Sequence, residues 1–281
     1  NSAQVWLRRL GAENRPIYGE RLKRTETIVD KLRTGRSLDL SSMHDIAGTR
    51  LIFKTENRLI NFREKIAESI TTKHKMIHAP EKFDYILNPK ETGYRGVHEV
   101  FQYQATNKKM EPWDNLRFEV QFRTNIQHSW ATAIEVYDLT KGKRFKFETE
   151  SDPAFEQFRI SSELLARTLE GKSGCLPEPS DIQLCDRFDE LEQITKMLHT
   201  FRSLKAINSG QEIQKNTILQ ISKSGGLNVI DFKSFNSAVK ALPRVEKDSD
   251  TVNAVLVGTD MPDNIRDVFT NYFNDPSGFV D

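Results

Sequence analysis

The sequence predicts an α+β fold in which strands and helices are interleaved. Short runs of alternating apolar and polar residues, typical of strands, recur between longer segments whose apolar residues have helical spacing. The composition, with 37% hydrophobic and 29% charged residues, is that of an ordinary globular protein. Because the chain has 281 residues, one catalytic domain with a smaller appendage is expected.

The elements before residue 171 are predicted from their periodicity. Residues 20–32 have helical spacing, with a basic face, and Gly35 ends that segment. Further helices are expected at residues 59–70, 126–139 and 153–170, and strands at residues 49–54, 97–103 and 116–124.

The segment 116–124 is the most informative strand. Its apolar residues alternate with a polar series, Arg117, Glu119, Gln121 and Arg123. The apolar face is expected to join the core. The polar face is either a solvated face with cross-strand ion pairs or the floor of a cleft that binds anions.

A domain boundary is predicted where Gly, Pro and Ser cluster. The interpretation is a first domain at residues 1–170, a linker at 171–182 and an accessory α/β domain at 183–281. That domain is expected to contain a helix spanning 188–201, strands at 217–221 and 227–232 around a Ser-Gly-Gly turn, a helix at 234–242, a strand at 254–257 and a helix at 264–272. We expect it to supply no catalytic group and to act in regulation, assembly or acceptor docking, with the aromatic residues of 269–274 as a docking surface or a helix-end core.

Charge, cysteine content and hydropathy exclude several classes of protein. The net charge of +1 argues against a general nucleic-acid binder. No apolar run is long enough to span a membrane. Cys175 and Cys185 have no accompanying ligands for a zinc site, so a reduced, cytoplasmic protein is expected. The start, Asn1-Ser2-Ala3, is interpreted as a truncation or tag remnant.

Two motifs suggest a metal-polyphosphate site. Six basic residues lie at positions 21–36, which suits a polyphosphate or, alternatively, a solvated helix face. In His44-Asp45-Ile46-Ala47-Gly48-Thr49-Arg50, Asp45 precedes a strand and is either a metal ligand or a turn cap. A metal phosphohydrolase built on the pair His44-Asp45 lacks the other histidine and aspartate ligands such a site needs.

A third motif, residues 84–98, reads DYILNPKETGYRGVH. It presents an aromatic residue, Tyr94, beside Lys90 and Arg95. An aromatic ring next to cations can stack a base while the cations hold phosphates. The alternative is a hairpin turn with an ordinary core tyrosine.

Together these segments resemble the RelA/SpoT alarmone synthetase family. The resemblance lies in four ordered blocks between residues 21 and 135: RLKRTETIVDK, DIAGTR, DYILNPKETGYRGVH and EVQFRTNIQHSWATAIE. It implies a nucleotidyltransferase-like mixed sheet flanked by helices. The sequence departs from the common pattern of the family at Thr27, at Gly96 and at Glu135-Val136. Because of these differences, the acceptor preference of other family members applies less directly to this protein.

The resemblance also implies roles for individual residues. Arg21 and Arg50 are expected to sandwich the adenine of ATP, and Lys23, Thr27 and Lys31 to hold its phosphates. Asp45 and Glu119 are expected to bind Mg²⁺, and Glu119 also to orient or deprotonate the attacking hydroxyl. Tyr94 is expected to stack the acceptor base in a pocket lined by Lys90, Arg95, His98, Gln121, Arg123 and His128.

The implied reaction is transfer of the β,γ-diphosphate of ATP to the 3′-hydroxyl of GDP or GTP. The family's hydrolase site is a histidine-aspartate metal site in a separate domain, and no segment of this sequence resembles it, so synthesis without hydrolysis is expected. Two alternatives stay open: a toxin-type relative that modifies the tRNA 3′ end or adenine nucleotides, and a non-catalytic nucleotide-sensing module. A homo-oligomer or a regulatory partner bound through the C-terminal domain is also expected.

Overall fold

The computed structural model describes residues 15–22, 25–35, 38–40, 42–71, 73–141, 152–205, 216–222, 227–258 and 277–280. The chain divides into two compact units. The first comprises Asn1–Phe83, His98–Phe122 and Gln211–Val268, and the second comprises Asp84–Val97, Arg123–Gly210 and Phe269–Asp281.

The described residues form eight strands, eight α-helices and a 3₁₀ helix. The strands are β1 (Ile17–Leu22), β2 (Ala47–Phe53), β3 (Lys75–Met76), β4 (Val97–Gln102), β5 (Arg117–Thr124), β6 (Asn216–Ser222), β7 (Leu227–Asp231) and β8 (Thr251–Gly258). The helices are α1 (Thr25–Arg33), α2 (Glu56–Thr71), α3 (Asn125–Lys141), α4 (Pro153–Glu170), α5 (Asp181–Thr195), α6 (Met197–Lys205), α7 (Phe235–Lys247) and α8 (Ser277–Val280), and the 3₁₀ helix is Lys108–Trp113.

All eight strands belong to one sheet, in the order β3-β4-β5-β2-β1-β8-β6-β7. β1 runs antiparallel to β2, with Arg21 opposite Gly48 and Gly19 opposite Arg50. β1 is also antiparallel to β8, and β6 is antiparallel to both β7 and β8. The expected α+β class, with a mixed sheet flanked by helices, is confirmed.

Two helices of the first unit, α2 and α7, pack on the sheet, each through one apolar face. In α2 the side chains of Leu59, Phe62, Ile66 and Ile70, spaced by three or four residues, are all buried, and the helix packs against β2. α7 packs on β6 and β8 through Ala238 and Leu242. The predicted apolar spacing therefore identifies the buried faces correctly.

The second unit has an aromatic core between helices. Trp130, Tyr137, Phe158 and Phe201 from α3, α4 and α6 pack in this core, and Phe279 of α8 contacts it. α4 begins after the Asp152 cap and ends at residue 171, a glycine in the left-handed conformation. The boundaries predicted for α4 are confirmed.

Two element predictions were wrong. Residues 20–22 are not helical, because they are part of β1, which forms ladders with β2 and β8. This pairing overrides the helical spacing of their side chains. The single helix predicted through 188–201 is two helices, since Lys196 adopts a left-handed φ of 53° between α5 and α6.

The C-terminal strands belong to the same sheet as the N-terminal strands. β8 pairs with β1, so β6, β7 and β8 extend the sheet that the N-terminal strands begin. The predicted linker, residues 171–182, lies within the second unit, where residues 171–180 connect α4 to α5. The helix expected at 264–272, the aromatic cluster at 269–274 and the turn at 224–226 lie outside the described residues.

Among the described residues, no helix combines the length and apolar character required to cross a membrane. Both cysteines are free: Cys185 is exposed and Cys175 is partly buried.

Candidate active site

The first unit brings Asp45 next to a lysine. Asp45 lies two residues before β2, and Lys31 lies in the last turn of α1. The Lys31 Nζ donates to both Asp45 carboxylate oxygens, at 3.2 Å and 3.1 Å. The ammonium group thus lies in front of the carboxylate, where a metal cation would also bind.

Glu119 is held by two side chains. Its Oε1 lies 2.6 Å from His98 Nδ1, and its Oε2 accepts a hydrogen bond of 2.6 Å from Gln121 Nε2. An ionised carboxylate accepts both bonds, so the two donors fix its orientation. Sequence reasoning placed His98 and Gln121 in the acceptor pocket and did not anticipate this contact.

The polar face of β5 is buried. Glu119 is 8% exposed, and Gln121 and Arg123 are similarly covered. The solvated face with surface ion pairs, one of the two predicted alternatives, is therefore wrong. Polar side chains that are buried on a strand and bonded to one another fit the floor of a site.

Asp45 lies two residues before β2, and Glu119 lies on the neighbouring strand β5. β5 is adjacent to β2 in the sheet, and a Cβ placed on Gly48 would lie 4.0 Å from the Glu119 backbone oxygen. Both carboxylates are also close enough to His44 to act on its pKa. Burial, reinforced by the positive charge of Arg117, lowers the pKa of His44, so its imidazole is neutral near pH 7.

The donor set of these two carboxylates fits Mg²⁺ bound together with a polyphosphate. Mg²⁺ is usually held by one or two carboxylates, with substrate phosphates and waters completing the shell. No group of three or more His, Cys, Asp or Glu that could hold a metal occurs in the part of the chain that the structure describes.

The structure describes some of the residues that are expected to bind ATP and not others. Positions 21 and 50 lie diagonally across the β1–β2 ladder, and Arg50 is 7% exposed. Thr27 lies within α1. Lys23 lies outside the described residues.

In the second unit, Tyr94 lies between cations. Arg123 donates to the Tyr94 hydroxyl from Nη2 at 3.1 Å and from Nε at 3.3 Å. Lys90 Nζ lies 5.5 Å from the centre of the Tyr94 ring and 4.2 Å from that of Tyr85. The ring is half-buried against the core that contains Trp130. An aromatic residue flanked by two cations suits a base attached to phosphates.

The loop that carries Tyr94 has a fixed backbone. The Asp84 carboxylate accepts from the N–H groups of Ile86 and Leu87, at 3.2 Å and 3.1 Å. Further along, the backbone N–H of Lys90 donates to the carbonyl oxygen of Tyr94, and the N–H of Gly93 donates to the carbonyl oxygen of Lys90. These bonds close a turn that holds Lys90 and Tyr94 at its two ends.

Two residues expected in the acceptor pocket are buried. The Arg95 side chain is 2% exposed and forms an ion pair with Glu170 at the end of α4. His128, in α3, is also buried. Arg95 lies inside the motif 84–98, whereas its partner Glu170 lies far outside the motif and carries no sequence signal of its own.

Comparison with known proteins agrees with the sequence resemblance. Residues 20–138 match the model of the region found in RelA/SpoT proteins. A curated relative, GTP pyrophosphokinase YwaC from Bacillus subtilis (strain 168), is 30% identical over 119 residues, which are 40% of this chain. The match spans 52% of that relative, about half its length.

Two solved structures illustrate the similarity of this chain to known proteins. Small alarmone synthetase 1 from Bacillus subtilis, bound to its product pppGpp, is 20% identical, with a TM-score of 0.48 over 60% of this chain and 81% of that chain. A GTP pyrophosphokinase family protein from Streptococcus pneumoniae is 19% identical, with a TM-score of 0.41 over 66% of this chain and 78% of that chain. Because both TM-scores are low, the fold class rests on the strand order and helices described above. The similarity to RelA/SpoT proteins therefore lies in residues 20–138, which are less than half of this chain.

Proposed function

We propose that this protein is a pyrophosphokinase that transfers the β,γ-diphosphate of ATP to the 3′-hydroxyl of GDP or GTP. The observation that carries the proposal is the buried carboxylate of Glu119, which is oriented by His98 and Gln121. Glu119 lies on β5, next to β2, the strand that Asp45 precedes. The RelA/SpoT match and the relative named as a GTP pyrophosphokinase support the same activity.

The reaction is a displacement at the β-phosphorus. The acceptor 3′-oxygen bonds to the β-phosphorus, the bond from that phosphorus to the α,β-bridging oxygen breaks, and AMP leaves with the bridging oxygen. Charge neutralisation and positioning dominate phosphoryl transfers of this kind. The protein's task is therefore to hold two nucleotides in line and to compensate their charge.

Asp45 and Glu119 are the residues that would hold Mg²⁺. Bound there with ATP, the metal supplies charge neutralisation to the polyphosphate oxygens. In the structure, Lys31 Nζ bonds both Asp45 oxygens, where the metal would bind. In this proposal Lys31 leaves the carboxylate when the nucleotide binds and bonds phosphate oxygens in its place. Lys31 then contributes a second positive charge to the polyphosphate.

Glu119 also receives the proton of the acceptor hydroxyl in this proposal. Its two oxygens are fixed by His98 and Gln121, so one of these bonds must lengthen for the hydroxyl to approach. His98 is partly exposed, while Gln121 is almost fully buried. In this proposal the acceptor hydroxyl therefore takes the place of His98 at Glu119 Oε1, and Gln121 keeps its bond to Oε2.

The two nucleotide bases have separate positions in the proposal. Diagonal neighbours on an antiparallel ladder are roughly 7–8 Å apart, close to the ~7 Å that two stacking contacts of about 3.5 Å require. Positions 21 and 50 have this relation, which supports an adenine held between Arg21 and Arg50. For the acceptor, Tyr94 supplies the stacking ring, and Lys90 and Arg123 supply positive charge.

The experiment is incubation with γ-labelled ATP and Mg²⁺ in parallel with GDP, GTP, ADP and deacylated tRNA. The proposal expects label in a product of GDP or GTP. Label on tRNA or ADP instead would support the toxin-type alternative, and no label on any acceptor would contradict diphosphate transfer.

The carboxylate variants sharpen this experiment. Asp45→Asn and Glu119→Gln should each lower the rate on the order of a thousandfold, because each removes an anionic metal ligand and preserves the side-chain shape. The matched control is Glu99→Gln, which removes another buried carboxylate of the first unit, bonded to Arg63 at 2.6 Å. This control should lose stability without a comparable loss of rate.

A further inference from the structure

Glu170, the last residue of α4, is a buried carboxylate with three donors. Its side chain is 5% exposed. Oε2 forms an ion pair with Arg95 Nη1, and Oε1 accepts from Thr124 Oγ1 at 2.8 Å and from Gln127 Nε2 at 3.0 Å. All these residues belong to the second unit.

The three donors come from two different segments. Arg95 belongs to the loop 84–97, next to Tyr94. Thr124 is the last residue of β5, and Gln127 lies in the first turn of α3. These two residues also bond each other: the Thr124 N–H donates to Gln127 Oε1 at 3.0 Å, and the Gln127 N–H donates to Thr124 Oγ1 at 3.2 Å. Glu170 therefore connects the Tyr94 loop to the junction of β5 and α3, one residue from Arg123.

A second residue of α4 holds the same loop. Ser162 Oγ donates to the Gly93 oxygen at 2.5 Å. Ser162 and Glu170 are eight residues apart, or about 12 Å along the helix axis and about 80° around it. The loop is thus fixed to one helix, α4, on both sides of Tyr94, at Gly93 and at Arg95.

We propose that Glu170, assisted by Ser162, is a positioning residue for the acceptor nucleotide, an inference that rests on the proposed function. Glu170 compensates the charge of buried Arg95 and so fixes the loop end next to Tyr94. The desolvation of a buried ion pair offsets most of its attraction, so its main effect is on geometry. α4 lies outside the matched region, at residues beyond 138, so the acceptor site depends on a helix that the family match does not include.

The test compares Glu170→Gln with Glu163→Gln. Glu163 is a matched control, because it is a fully buried carboxylate of the same helix whose partners, Arg167, Gly174 and Leu176, do not belong to the Tyr94 loop. Glu170→Gln should lower kcat/KM for GDP or GTP on the order of a hundredfold, the effect of misplacing a substrate by about 1 Å. The KM for ATP should not change, and Glu163→Gln should change neither constant beyond a few-fold.

Amide hydrogen exchange gives a readout that does not need activity. In Glu170→Gln the N–H groups of Lys90 and Gly93 should exchange faster than in the parent protein and in Glu163→Gln. If Glu170→Gln does not fold, Ser162→Ala and Thr124→Val, which each remove one hydroxyl from the same set of contacts, should shift exchange and acceptor kcat/KM in the same direction.

The two proposals fail in different ways. A parent protein that transfers no diphosphate contradicts the proposed function, whereas the exchange result still decides whether α4 holds the loop. Unchanged exchange at Lys90 and Gly93, or an equal loss of kcat/KM for ATP and for the acceptor, would overturn the positioning role of Glu170.

Discussion

Replacing Gly93 by alanine should destabilise the second unit through two separate effects. Gly93 has φ +87°, and a Cβ there would lie 3.0 Å from both Ser162 Cβ and Trp130 Cζ2, and 3.3 Å from Arg159 Cα. The left-handed backbone costs alanine about 1–2 kcal/mol. Crowding against a packed core costs about 1–3 kcal/mol more. Alanine also lowers the conformational entropy of the unfolded chain, which stabilises the folded protein by about 0.4–1 kcal/mol.

The net expectation for Gly93→Ala is a loss of roughly 2–4 kcal/mol in the free energy of unfolding, measured by urea titration. Gly171→Ala is the matched control: Gly171 has φ +66° and no atom within 4 Å of a built Cβ, so it suffers the backbone effect alone. The difference between the two variants should be about 1–3 kcal/mol. Equal losses would refute the close packing of the Gly93 turn against Ser162 and Trp130.

Three smaller perturbations test other contacts of the second unit. Tyr94→Phe removes the hydroxyl that accepts from Arg123 and should raise the acceptor KM by about 2- to 10-fold, equivalent to about 0.5–1.5 kcal/mol, in steady-state assays; an unchanged KM would count against this bond. Burial raises the pKa of the Cys175 thiol, so at pH 8 it should react with a thiol reagent more slowly than the chain's other, exposed cysteine; a single fast phase of two thiols would contradict this. The hydrogen bond from Arg187 lowers the pKa of Glu156. The small stabilisation from this exposed pair is therefore present at neutral pH and is lost as the pH falls through the folded-state pKa of Glu156. Glu156→Gln should lower the free energy of unfolding at pH 7 but not in acid.

Periodicity predicted most elements well because the apolar residues of each element fall on one face. The apolar residues of α2 and the alternation in β5 identified both element type and core face. Periodicity failed at residues 20–22, where helical spacing is overruled by pairing of β1 with two strands. It also failed at Lys196, because a single left-handed residue interrupts a helix without changing the apolar pattern.

The sequence indicates candidate residues that fall inside motifs, but not the contacts that join distant segments. The motifs single out Asp45, Glu119 and Tyr94 as candidate site residues. They did not reveal that Lys31 pairs with Asp45, since both residues were assigned to separate ligands. Glu170 has no sequence signal, because the end of a long helix is usually exposed and its partner Arg95 lies 75 residues away. Only the fold brings these charges together.

The C-terminal strands show a similar limit. A Gly- and Pro-rich segment predicts a loop but not whether the chain returns to an earlier sheet afterwards. Here β8 pairs with β1, the strand that contains Arg21. Removal of residues 183–281 would therefore expose a sheet edge at β1, and a truncated chain is a poor test of whether this segment acts in regulation or acceptor docking.

The nucleotide product formed from ATP is the most direct measure of the proposed reaction. With Mg²⁺ and GTP or GDP, diphosphate transfer predicts one AMP for each diphosphorylated acceptor, little ADP, and loss of both products in Glu119→Gln. Formation of ADP in place of AMP would mean transfer of a single phosphoryl group. That result, or AMP formation that persists unchanged in Glu119→Gln, would contradict a pyrophosphokinase centred on this carboxylate.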